Sequence, residues 1–236
     1  VVIFEPDEIL CEMLRSRITD PASRHTSTTD TFTATAAQTD FTLTPTSGTK
    51  VQAITGVTVD AVAKSKWADY YVDLQNQMMI YQGTLAGAET VVVTYGEGEH
   101  SWIYKDFPRI TLSDSSFPRI AVQIIGGTGT RLGQYTADME TEIRFQIDAF
   151  AVNPKSSTGT HIYTINDKNY GGADLAKILL YKVFDALKDY EDDLHPLMYQ
   201  FEIISTPHAV GWEERSQTFR YMAEISLKML NVGDSL

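Results

Sequence analysis

The stretches of this chain whose residue types could support chemistry are few, and each fails a test of spacing. GGTGTRLG at residues 126–133 has the glycine density of a phosphate-cradling loop. It lacks the Gly-Lys-Ser/Thr ending and leads into a strand, where an anion site needs a helix amino end. It therefore reads as a flexible turn, or as a lumen or interface loop. His25, His100, His161, His195 and His208 are scattered without HxxxH or comparable spacing, so a metal site would need the fold to gather them with acids. DYEDDLH at 189–195 concentrates carboxylates but has neither the alternating ligands nor the Gly turn of a calcium loop, and it reads as a solvated turn. Cys11 falls beside Met13 and Leu14 on the apolar side of a predicted helix, which suits a buried small hydrophobe better than a nucleophile. Trp67, Tyr70, Tyr71, Tyr81 and Tyr95 offer aromatic faces that a sugar could stack on, although strand alternation assigns most of them to a core. There is no GxSxG, and no paired acids stand out from the strand faces. The expectation is a protein that is not an enzyme, with no catalytic, cofactor-binding or metal-binding residues.

Composition narrows the class further. At 236 residues the chain has room for one large domain or two small ones. A chain of that length buries roughly 70–75% of its unfolded surface, so it needs no covalent staples. Hydrophobic residues make up 43% and aromatics 11%, a globular balance. With a single cysteine, an intrachain disulfide and a CxxC zinc site are both excluded. Asp and Glu number 31 against 19 Lys and Arg, a net charge of -12, and the bases form no run. Tight phosphate binding needs clustered bases, so a dedicated DNA-binding role is not expected. An acidic surface suits solubility, high salt, or a channel wall that DNA passes without sticking. No stretch approaches the roughly 20 apolar residues of a membrane span, and the first residues carry acids where a secretory signal carries bases. A soluble chain without membrane partners is the expectation.

These residues must be positioned by a short list of elements. EPDEILCEMLRSRITDP predicts a helix over about 7–18, with Ile9, Leu10, Met13, Leu14 and Ile18 on one face and Pro21 as its stop. From Thr26 the texture turns to short alternating runs of Thr, Val and Phe. These predict about seven strands between residues 30 and 96, a compact all-β module over 26–98. Phe-Pro-Arg-Ile then occurs twice, at 107–110 and 117–120. Either both Phe-Pro pairs are strand entrances with SDSS turning between them, or the match is accidental; both readings leave two strands. METEIRFQIDAF at 139–150 alternates strictly, with Ile143, Phe145, Ile147 and Ala149 inward and Glu142, Arg144, Gln146 and Asp148 outward. Residues 153–170 read as a polar arm with a hairpin around HIYTI. A second helix over 172–189 carries Leu175, Ile178, Leu179, Val183, Ala186 and Leu187 on one stripe, and two closing strands follow. The expected fold is α+β: a mixed sheet packed with one or two helices (residues 1–25 and 99–236), with an inserted sandwich-like all-β module at 26–98.

The outer part resembles the tail terminator (tail completion) proteins of long-tailed phages and related archaeal viruses. The likeness is carried by FPRIAVQIIGG at 117–127, METEIRFQIDAF at 139–150, the helix at 172–189 and GWEERSQTFRYMAEISLKM at 211–229. It covers residues 7–20 and roughly 101–232; the module at 26–98 and the long arm at 153–170 depart from it. The inserted module is similar to a β-sandwich unit of virion appendages, through Asp69, Tyr70, Val72, Asp73, Gly87 and Tyr95. The resemblance implies a structural virion protein of the tail or neck, assembled in the host cytoplasm. It implies a homo-oligomeric ring, a hexamer, that ends the tail tube and joins it to the head-side connector or head-closure protein while DNA passes through the lumen. Another neck ring, a head-closure or head-tail adaptor protein, is the alternative reading. A carbohydrate-binding module is a third, and it predicts glycan binding lost on Trp67→Ala. Trp212, within GWEER, anchors either a turn or a subunit contact.

Overall fold

A computed structural model describes residues 5–105, 113, 116–131, 139–154, 160–189, 198–214 and 217–231. The fold is mixed α+β, with two helices and four sheets among the described residues. The chain divides into two compact units: the residues up to Leu14 together with those from Trp102 onward, and Arg15–Ser101.

Helix α1 (Pro6–Arg17) begins on a proline, whose missing N–H costs nothing at a first helical position. Asp7 and Glu8 in its first turn and Arg15 and Arg17 in its last oppose the helix dipole with favourable charge. The predicted apolar face, Ile9, Leu10, Met13 and Leu14, is buried, and burial extends to Cys11 and Glu12.

The unit Arg15–Ser101 holds seven strands: β1 (Thr26–Thr33), β2 (Asp40–Thr42), β3 (Lys50–Val59), β4 (Val62–Ala63), β5 (Tyr70–Asp73), β6 (Met78–Tyr81) and β7 (Thr90–Gly98). They form two antiparallel sheets, ordered β1-β7-β3-β4 and β2-β6-β5. The sheets share one core in which Phe41 and Met79 meet Val57, Val91, Val93 and Tyr95. Alternation explains the choice of residues, since β7 buries Val91, Val93 and Tyr95 and leaves Val92 and Thr94 partly exposed.

Glu97 ends this pattern as a buried acid. Its carboxylate accepts from Thr28 Oγ1 (2.8 Å), Thr46 N (2.7 Å), Thr46 Oγ1 (2.8 Å) and Thr49 Oγ1 (3.0 Å). These bonds fasten the segment ahead of β3 to β1 and β7. Burial alone pushes the carboxyl up, but the hydrogen bonds outweigh it and bring the pKa down to about 2 from the ordinary 4.5. A depressed acid stabilises fully above its unfolded value, so this contribution is present above pH 4.5 and fades as pH falls toward 2. Glu97→Gln is therefore expected to weaken the unit at neutral pH and to flatten its loss of stability across that window. Acid titration followed by the fluorescence of Trp67 measures this, and an acid limb identical in both chains rejects the assignment.

The other unit is built on β8 (Ile103–Tyr104), β9 (Arg119–Arg131), β10 (Met139–Val152), α2 (Gly172–Asp189), β13 (Met198–Glu213) and β14 (Thr218–Asn231). Between β10 and α2 lies a hairpin of β11 (Tyr163–Ile165) and β12 (Lys168–Tyr170). Its two turn residues, Asn166 and Asp167, both have positive φ, 49° and 61°, as a twisted two-residue turn requires. The five-stranded sheet has the order β13-β14-β10-β9-β8, parallel at β8-β9 and antiparallel elsewhere. Helix α2 packs on it against β10, β14 and β13. The predicted stripe of α2 is buried at Leu175, Leu179, Val183, Ala186 and Leu187, joined by Ala176, Leu180 and Phe184, while Ile178 is half-buried. Ile143, Phe145, Ile147 and Ala149 of β10 are buried as their alternation predicts.

The second Phe-Pro stands directly ahead of β9, with a cis peptide between Phe117 and Pro118. Phe117 packs into a small cluster with Ala121, Phe150 and Val152, and Tyr163 Oη donates to its carbonyl at 3.4 Å. The first Phe-Pro copy, at 107–110, lies outside the described residues.

Candidate functional site

Among the described residues, the fold does not gather the chemical candidates of the sequence into one site. The histidines are dispersed: His25 Nε2 lies 2.9 Å from the His100 carbonyl, His161 Nδ1 is 3.5 Å from Tyr163 Oη, and His208 Nδ1 is 3.1 Å from the Thr206 carbonyl. His195 and residues 190–194 of the acidic turn lie outside the described residues. Among the described residues no group of three or more His, Cys, Asp or Glu is placed to hold a metal ion. Cys11 is fully buried. Among the described residues, no helix is long and apolar enough to cross a membrane.

The aromatic platform does not assemble. Tyr70, Tyr81 and Tyr95 are buried in the core of their unit, which leaves only Trp67 and Tyr71 partly exposed. Trp67 instead meets Lys66, whose Nζ lies 4.9 Å from the ring centroid. Tyr95 Oη reaches Asp30 Oδ2 at 3.2 Å, and burial with that neighbouring carboxylate pushes the phenol up to about 12.

The glycine-rich stretch corrects its expectation. Residues 126–131 are not a turn; they continue β9, paired with β10 from Gly126 opposite Arg144 to Arg131 opposite Met139. Register slips by one between Arg144 and Phe145, which leaves Ile125 as the extra residue of a β-bulge. Gly127 has a packing reason, because a Cβ there would sit 2.9 Å from the Glu142 carbonyl oxygen. Leu132 and Gly133 lie outside the described residues.

Asp148 is a second correction. It was expected on the polar face of β10, yet it is fully buried. Arg220 Nε of β14 donates to its Oδ1 at 2.7 Å and Gln146 Nε2 to its Oδ2 at 2.8 Å. Burial pushes the carboxyl up, partly offset by the bonds from Arg220 and Gln146. The Arg220 guanidinium also lies over Phe150, 5.8 Å from its centroid.

What the fold does assemble is a five-stranded sheet whose described edge strands are β13 and β8. β13 forms one edge. At the other stands β8, which among the described residues pairs with β9 at Ile120 and Ala121. Nine large apolar side chains are exposed among the described residues. Six of them belong to β9 and β13: Ile124 and Ile125 on β9, and Ile203, Ile204, Val210 and Trp212 on β13, each 41–47% exposed. Trp212 stacks edge-on against Phe219 of β14, its centroid 5.0 Å away, so it pins the β13-β14 hairpin while showing one face to solvent. Such edges are normally blunted by charge, proline or bulges. β13 has Pro207 and several register slips against β14, whereas residues 123–130 of β9 have neither charge nor proline. A scan against protein-family models and a search of curated proteins both find no match to the chain.

Proposed function

We propose that this chain is a structural virion subunit whose activity is assembly: copies dock side by side into a closed ring, a hexamer, that terminates a tail tube and joins it to the head-side connector. The observation that carries the reading is the concentration of exposed apolar side chains on β13 and β9, towards opposite sides of one sheet. Two unlike apolar surfaces favour a head-to-tail contact, and such a contact generates a ring when its rotation closes. The likeness of residues 101–232 to tail terminators supplies the station in the particle. A net charge of -12 suits a lumen through which DNA slides without adhering. A head-closure or adaptor ring differs from this reading in its ring symmetry and its neighbours.

Native mass spectrometry of the purified chain, with images of tail tubes incubated with it, tests the proposal. The expected result is one discrete oligomer that sits on tube ends. A chain that stays monomeric at high concentration and leaves tube ends bare overturns it.

A further inference from the structure

Strand β1 is an outermost strand of the sheet β1-β7-β3-β4, and residues 15–101 around it are described without a gap. It pairs with β7 in one unbroken register, from Thr26 opposite Glu97 to Thr33 opposite Thr90. Bonds just past the register show which backbone groups of β1 face outward. Ala34 N donates to the Glu89 carbonyl at 2.9 Å, so by alternation Phe32, Asp30, Thr28 and Thr26 are the residues bonded to β7. Thr90, opposite Thr33, turns the other way: its carbonyl accepts from Asp60 N at 2.9 Å and its N–H donates to Asp60 Oδ1 at 2.8 Å. The N–H and C=O of Ser27, Thr29, Thr31 and Thr33 therefore point away from the sheet. All four residues are exposed, and among the described residues nothing bonds these backbone groups.

Such an edge is normally kept short or blunted by proline, lysine or a bulge. The other outer strands of the unit are short: β4 has two residues, β2 three and β5 four. β1 has eight, mostly threonine, a good strand former, and it carries no proline, lysine or bulge. Donors and acceptors repeating at every second residue match one class of ligand, an extended polypeptide backbone.

Charge decides whose backbone it is. Asp30 is the only charged residue of β1. Its Oδ2 accepts from Thr44 N (2.7 Å), Thr44 Oγ1 (3.1 Å) and Tyr95 Oη (3.2 Å), while Oδ1 has no partner among the described residues. A two-fold pairing of β1 with a second β1 that uses all four outward residues sets Asp30 directly against Asp30, and like charges so placed repel. A strand with a base at that position meets a carboxylate with one oxygen open. We propose, independently of the ring reading, that β1 is a docking edge for an extended segment of a different protein, added antiparallel as a further strand with Lys or Arg opposite Asp30.

The test adds the synthetic peptide Thr-Val-Thr-Lys-Thr-Val-Thr, whose Lys falls opposite Asp30, to the full-length chain and follows backbone amide exchange by NMR. The expected result is saturable slowing at Ser27, Thr29, Thr31 and Thr33, with Thr28, Asp30 and Phe32 unchanged because β7 already holds them. Thr31→Pro removes one outward N–H, which an edge strand tolerates, and is expected to weaken binding roughly tenfold with an unchanged circular dichroism spectrum. A peptide with Glu in place of Lys is expected to bind more weakly, and equal binding overturns the pairing with Asp30. No slowing at any soluble peptide concentration overturns the docking edge. Equal binding by a peptide N-methylated at the two Thr beside Lys, which keeps the side chains and blocks the backbone, overturns it as well. Slowing of the same four amides when the chain alone is concentrated means that β1 pairs with its own copy, which overturns the choice of partner. The ring reading is decided separately, by native mass spectrometry and images of tube ends.

Discussion

Phe145→Ala is expected to cost about 3–5 kcal/mol of the stability of the sheet-and-helix unit, the range for removing a buried aromatic ring from a core that relaxes only in part. Phe145 is fully buried in mid-strand, flanked by Ile124 on β9 and Ile225 on β14, on a strand that α2 packs against. Paired strands on both sides leave its site little freedom to collapse. Phe145→Leu, which retains most of the volume, is expected to cost appreciably less. Denaturant unfolding reads this through the buried Trp102, which belongs to the same unit, whereas Trp67 belongs to the other. A loss under about 1 kcal/mol for Phe145→Ala would mean the ring is not part of a close-packed core.

The elements that a sequence reader finds here are those in which local pattern and tertiary role agree. Helix α1 announces itself by Pro6, its charged ends and a 3.6-residue apolar face, and it runs Pro6–Arg17 against an expected 7–18. The Thr and Val alternation from Thr26 onward yields seven strands around one shared core, most plainly in β7, which buries every second residue from Val91 to Tyr95. β10 and α2 are legible for the same reason.

The failures have a different physical origin. GGTGT reads as a turn because glycine is a poor strand former, yet here a bulge and the close approach of the Glu142 carbonyl make a side chain at Gly127 a liability. Asp148 reads as solvated because nothing near it in sequence explains burial; its partner Arg220 is 72 residues away on another strand. The exposed apolar side chains of β9 and β13 were foreseeable only in principle. Which strand ends at a side depends on sheet order, and sheet order places β13 and β8 there. The side chains that matter most for the proposed assembly are thus ordinary isoleucines, and no motif search finds them.

Arg220→Ala is the second change expected to have a large effect, about 3–5 kcal/mol at neutral pH, because it leaves a buried carboxylate without its cation. Asp148 is fully buried and Gln146 can satisfy only one of its oxygens, so the charge has no other compensation among the groups that bond it. The pH dependence gives the change a signature that simple loss of packing lacks. Burial already holds the Asp148 carboxyl above the ordinary 3.8, and loss of the Arg220 bonds raises it further. A group whose folded pKa exceeds its unfolded value lends stability below the unfolded value and loses it as pH rises through the folded one. The Arg220→Ala chain is therefore expected to approach the unaltered protein in stability as the solution is acidified from neutrality toward pH 5, before other carboxylates protonate. Asp148→Leu combined with Arg220→Met, which removes both charges and keeps apolar volume, is expected to lie within about 1–2 kcal/mol of the unaltered chain. Thermal or denaturant unfolding of the three chains at two pH values decides the matter. If Arg220→Ala and the double variant are equally destabilised and neither loss varies with pH, the burial of an uncompensated charge is not what Arg220 prevents, and its contact with Phe150 is the larger part of its role.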